Sequence, residues 1–190
     1  VNHGRYTESL PDGSKYSQGQ YEDGLRTGPW IFWHADGRVA KSGSYKNGKP
    51  DGVWTYWRDK DSIAPAVGSQ PEREGSTKQR VETYAEGKCN GVWLYYHPNG
   101  RISKQEEYRD GRRHGTWIEW YPNGKKQSEN HLVDDEVDGL QRLWDRNGRL
   151  LRQTEFKRGK RDGHFVSWND QGEKLSELVY RDDVLVRSIE

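Results

Sequence analysis

The glycines of this 190-residue chain fall into three columns that share a period of 24 residues, and no other feature restricts its fold as tightly. Gly4, Gly28 and Gly52 form the first column, which resumes at Gly91, Gly115, Gly139 and Gly163. The step of 39 from Gly52 to Gly91 is one period plus an addition of 15 residues. Nine residues later runs a second column, Gly13, Gly37, Gly100, Gly124, Gly148 and Gly172, with Asp61 in the interrupted repeat. Four residues before the first runs a third, Gly24, Gly48, Gly87, Gly111 and Gly159, with Asp135 and Asp183 in place of glycine.

Aromatic residues keep the same step. Two residues after the first glycine come Tyr6, Trp30, Trp54, Trp93 and Trp117, then Gln141 and Phe165. Five residues after it come Trp33, Trp57, Tyr96, Trp120, Trp144 and Trp168. Asp12-Gly13, Asp36-Gly37, Asn99-Gly100, Asn123-Gly124 and Asn147-Gly148 are pairs suited to type I′ turns, in which both central residues take positive φ. Asp23-Gly24, Asn47-Gly48 and Asp110-Gly111 supply turn chemistry at the opposite end of each repeat. The segments between turns have the length of ordinary strands. Each repeat therefore reads as one β-hairpin, and the chain as an all-β array of stacked antiparallel hairpins. The expected product is an elongated, curved or twisted single sheet forming one domain over residues 1–190.

Composition agrees with a folded chain. Leu, Ile, Val and Phe supply only 31 residues, but nine Trp and eleven Tyr with a net charge of +1 separate the sequence from disordered ones. The near-zero charge gives no basis for nucleic-acid binding, which needs a clustered basic excess. No apolar run approaches the length of a membrane helix. The single cysteine, Cys89, excludes an internal disulfide and a multi-thiolate metal site. The compartment stays open: cytoplasmic is favoured, and a first residue that is not Met leaves a secreted or periplasmic location open.

The repeat resembles the MORN (membrane occupation and recognition nexus) repeat in its aromatic-rich variant. Tyr84 to Gly100, YAEGKCNGVWLYYHPNG, and Tyr108 to Gly124, YRDGRRHGTWIEWYPNG, carry the resemblance most clearly, and it extends from Tyr21 to Gly172. Bacterial chains built from this variant resemble the YwqK-type antitoxin family. That resemblance implies a binding protein with a toxin as partner.

Strand alternation separates two faces. Ile31 and Trp33, Leu94 and Tyr96, Ile118 and Trp120, and Val166 and Trp168 make one face consistently apolar, and this face is expected to form the core. The other face carries Trp30 and Phe32, Trp54 and Tyr56, Trp93 and Tyr95, and then fades to Glu119 and Leu143. These six rings are the candidate protein-binding surface, because Tyr and Trp are favoured interface anchors. The insertion from Lys60 to Ser76, rich in Pro and Gly, reads as a loop on the binding side. Lys49, Lys88, Arg112 and Lys160 follow the third glycine column and form an alternative, anion-binding edge row. The six histidines have no metal-ligand spacing, and Asp134-Asp135-Glu136 sits at a turn. No nucleophile elbow, phosphate loop or dinucleotide fingerprint is present. A non-enzymatic protein-binding module with no cofactor and no metal is the expectation, and the resemblance implies an antitoxin; a membrane-surface scaffold is the competing class.

Overall fold

The computed structural model describes residues 3–59 and 77–189, and the predicted insertion at 60–76 lies outside the described residues. Every regular element among the described residues is a β-strand. The all-β array of antiparallel hairpins expected from the periodicity is what the chain forms. The strands fall into two compact units, Val1–Gly100 and Arg101–Glu190.

The N-terminal unit contains β1 (Gly4–Ser9), β2 (Lys15–Glu22), β3 (Leu25–Trp33), β4 (Val39–Lys46), β5 (Lys49–Trp57), β6 (Lys78–Ala85), β7 (Lys88–Cys89) and β8 (Gly91–Tyr96). Each strand pairs antiparallel with the next, and β7 and β8 both lie against β6. The C-terminal unit contains β9 (Ile102–Arg109), β10 (Arg112–Arg113), β11 (Gly115–Trp120), β12 (Lys126–Val133), β13 (Glu136–Val137) and β14 (Gly139–Trp144). It continues through β15 (Leu150–Lys157), β16 (Lys160–Trp168), β17 (Lys174–Arg181) and β18 (Val184–Ile189), again pairing in sequence order.

The mirror-type turns lie at the end of the hairpin opposite to the one expected. Asp23 and Gly24, Asn47 and Gly48, and Glu86 and Gly87 all have positive φ, as the two central residues of a type I′ turn require. In the Asp-Gly and Asn-Gly loops only the glycine has positive φ. There the Gly37 N–H donates to the His34 carbonyl at 2.9 Å and the His34 N–H to the Arg38 carbonyl at 2.8 Å. That is a type I turn closed by a glycine bulge. Loop length decides the matter: β2 and β3 are joined by two residues, whereas β3 and β4 are joined by five.

Successive type I′ turns are tied through the main chain. The Gly48 N–H donates to the Arg26 carbonyl at 2.9 Å and the Gly87 N–H to the Pro50 carbonyl at 2.8 Å. In the C-terminal unit Asp135, Gly159 and Asp183 donate in the same way to Arg113, Val137 and Arg161. Asp135 occupies its left-handed position at φ 76° and also accepts from Arg113, through the main-chain N–H at 3.0 Å and Nε at 3.1 Å. These bonds hold its carboxyl below the usual carboxylate range, the main-chain bond contributing most. The side chain thus offsets the backbone strain that a Cβ brings to this conformation. Asp135→Ala, which keeps the strain and loses the bonds, is expected to melt below Asp135→Gly, which loses both. An alanine variant melting at or above the glycine variant would contradict this account.

The core lies on one face of the N-terminal sheet. Opposite Gly19 of β2, three residues of β3 (Gly28 to Trp30) bulge out of register, and opposite Gly43 of β4 the same happens on β5. The indole of Trp30 folds over Gly19 and that of Trp54 over Gly43, so closely that a Cβ on either glycine would stand 2.2 Å from the ring. Trp30 Nε1 donates to the Gln20 carbonyl at 3.2 Å and Trp54 Nε1 to the Ser44 carbonyl at 3.0 Å. Trp93 and Trp117 repeat the bond to Thr83 and Glu107. Tyr21 and Tyr45 stand edge-on to Trp30 and Trp54, with centroids 5.2 and 4.9 Å away, an arrangement favoured by the ring quadrupoles.

Candidate binding face

The face predicted from sequence to be the core is not the buried one. Ile31 is 38% exposed, and Trp33, Leu94, Tyr96, Ile118, Trp120, Val166 and Trp168 are only half-buried. Trp30, Phe32 and Trp54, at 0%, 6% and 2% exposed, form the packed cluster instead. The cause is the glycine socket. A ring laid flat on Gly19 or Gly43 gains cover from the strand beneath it, whereas Ile31 has only lateral neighbours in its own layer.

This burial sorts the six rings singled out in the sequence. Trp30, Phe32 and Trp54 make a floor, and Tyr56, Trp93 and Tyr95 remain half-buried above or beside it. Pairing aligns Ser17, Phe32, Lys41, Tyr56, Arg80 and Tyr95 directly opposite one another across successive strands. From Phe32 onward that row alternates ring and cation. Lys41 Nζ lies 4.5 Å from the centre of the Phe32 ring, and the Arg80 guanidinium lies 4.0 Å from that of Tyr56. Arg26 joins them from β3, 4.6 Å from Trp30 and 5.6 Å from Phe32, with Nη1 donating to the Tyr45 hydroxyl at 3.3 Å.

One carboxylate belongs to this surface. Glu82 is buried and takes Arg80 Nε at 2.7 Å and the Tyr84 hydroxyl at 2.8 Å. Burial, followed by Glu82 itself, pushes the Tyr84 hydroxyl far above its ordinary value, so that hydroxyl remains a donor. Burial also pushes Lys41 down, with Arg26 and Arg80 adding like-charge repulsion and Glu82 opposing them. The sequence analysis did not single out Arg26, Lys41, Arg80 or Glu82. Lys41 and Arg80 share a repeat column two residues before Gly43 and Glu82, and that column was the available signal.

In the C-terminal unit the corresponding row reads Lys104, Glu119, Ser128, Leu143, Arg152, Ser167 and Ser176, with no ring in it. Lys104 is matched by buried Glu106 at 2.5 Å, and Glu106 also accepts from the Tyr108 hydroxyl at 3.0 Å. Of the edge cations, Lys49 and Lys88 are exposed in the N-terminal unit, and Arg112 and Lys160 in the C-terminal one. In the latter, Glu136 occupies the same column and Lys160 Nζ lies 3.7 Å from Asp182. A polar cleft there, lined by Glu136, Lys157, Arg158, Lys160, Asp162 and Asp182, carries both signs of charge.

Comparison with known families matches three stretches of the chain. Residues 26–47, 90–110 and 113–134 match the MORN repeat variant. MORN repeats are generally non-enzymatic binding modules. No curated protein matches the chain. The first matched repeat holds Arg26, Phe32, Lys41 and Tyr45, so it falls within the ring-and-cation face.

Proposed function

We propose that this chain is a non-enzymatic protein-binding module whose contact surface is the ring-and-cation face of the N-terminal unit. The observation that carries the reading is the row Phe32, Lys41, Tyr56, Arg80, Tyr95, where rings alternate with cations, Phe32 belonging to the buried aromatic floor and Tyr56 and Tyr95 half-buried. Rings of this kind supply contact area with few rotamers to immobilise, and flanking cations add orientation. Trp30 and Trp54 support the surface from beneath, while Tyr56, Trp93 and Tyr95 make the contact. The resemblance of the repeat sequence to bacterial antitoxins favours a toxin as the partner, which the module would neutralise by covering its active site.

Anionic lipid headgroups bound through Lys49, Lys88, Arg112 and Lys160 are the competing reading. Glu136 and the Lys160–Asp182 pair count against it, because a headgroup surface calls for one sign of charge. Affinity capture from host lysate at moderate salt, with Tyr56→Ala and Tyr95→Ala alongside the unaltered chain, tests the proposal. One stoichiometric protein is expected, reduced tenfold or more by either substitution in a variant that retains its near-ultraviolet circular dichroism. Retention by both variants, or capture only of membrane released by salt, would overturn it.

A further inference from the structure

The repeat column of Lys41 also carries the cations Arg80, Lys104 and Arg152, the last followed two residues on by the buried, uncharged Thr154. Arg80 and Lys104 each have a buried carboxylate two residues on, Glu82 and Glu106 respectively. At Lys41 that place is held by Gly43, whose missing side chain makes room for the Trp54 indole. Seating the ring therefore removed the acid. Lys41 is left half-buried between Phe32 at 4.5 Å and Trp54 at 5.9 Å, and none of the ion pairs among the described residues includes it. Arg26 reaches the same ring, Phe32, from the neighbouring strand, and its polar partners are neutral hydroxyls, those of Tyr21 and of Tyr45, the latter at 3.3 Å. Arg26, Lys41 and Arg80 thus share one face with Glu82 as the acid that faces them, and Glu82 is committed to Arg80 and Tyr84.

We infer that Arg26 and Lys41 form a subsite, floored by Phe32 and walled by Tyr45 and Tyr56, for the acidic side chains of a protein partner. The inference rests on the binding-module reading and specifies the chemistry of that partner: an Asp- or Glu-rich segment with apolar neighbours. A partly desolvated cation without a counter-charge is costly, and an incoming carboxylate removes that cost while taking the place that Arg80 and Lys104 give to Glu82 and Glu106. The flanking rings provide cover for the apolar residues beside the acid, which a free inorganic anion would leave unused.

The probe is an array of 12-residue peptides of graded Asp and Glu content, incubated with the full chain and with Lys41→Gln, Lys41→Met and Arg26→Gln, each first checked for an unchanged melting temperature. Lys41→Met keeps the stem that covers Phe32, so one substitution that disturbs folding does not remove the test. Retention is expected to rise with acid content and to fall at least fivefold in the Lys41 and Arg26 variants, with Lys49→Gln at the turn edge unaffected. Retention indifferent to acid content, absent altogether, or unchanged in folded Lys41 variants would overturn the inference. Equal competition by millimolar inorganic phosphate would overturn it in favour of a phosphate site. If Tyr56→Ala abolishes partner capture while Lys41→Gln does not, the module reading stands and the acidic partner alone fails.

Discussion

Trp30→Ala will destabilise the N-terminal unit by about 3–5 kcal/mol, the range for removing a large ring from a packed interior. The ring is fully buried, and Tyr21, Phe32 and Tyr6 surround it with centroids 5.2, 5.8 and 6.0 Å away. Removing it opens a trench above Gly19 and leaves the Gln20 carbonyl without its indole donor. Ile31→Ala, one residue on and pointing to the other side, should cost about 1 kcal/mol or less. Urea denaturation followed by tryptophan fluorescence separates the two. Equal losses would mean that both faces contribute alike and that the glycine-socketed layer is not the core.

Gly43→Ala will lower stability by about 1–3 kcal/mol although alanine adds a single carbon. Its Cβ would sit 2.2 Å from Trp54 Cδ2, and the ring cannot retreat without giving up the Ser44 carbonyl and its contact with Tyr45. The same reasoning fixes the double variant. Once Trp54→Ala has removed the ring, Gly43→Ala should cost almost nothing, because the clash has gone and alanine suits a strand better than glycine. A fully additive cycle would show that Gly43 serves its backbone rather than the indole.

How far the sequence disclosed this arrangement depends on what each residue type reports. Gly13, Gly24 and their equivalents report backbone requirements, and these need no partner to be read, so the hairpins and their period follow from them directly. The allocation of turn types was reversed, because Asp-Gly and Asn-Gly pairs serve both a type I′ turn and the last two positions of a type I turn with a bulge. Only the number of intervening residues separates those, and it depends on where pairing stops. Alternation identified the two faces correctly but led to the wrong one as the core. Gly19 and Gly43 fall outside the three main columns, and their meaning arises only when a tryptophan eleven residues later folds back on them. Lys41, Arg80 and Glu82 escaped for the opposite reason: within mainly polar strands they are indistinguishable from solvated residues until the rings beside them are placed.

The two ends of each hairpin are held by different kinds of bond. At the type I′ end, the N–H of one turn reaches a carbonyl of the turn before it, as from Gly48 to Arg26, and Asp183 to Arg161. At the other end the links run through side chains: His34 to the Trp57 carbonyl, Tyr121 to that of Trp144, Arg101 to that of Asn123 and Lys125 to that of Asn147. A main-chain link has one fixed reach, so an extra residue on that side would put every later turn out of step. Side chains bend and can be exchanged for longer or shorter ones. The array therefore has one selvedge woven to a constant count and one fringe free to vary, and the sequence places its 15 additional residues between β5 and β6, on the fringe. Residues can be added there repeat by repeat while the opposite border keeps the count.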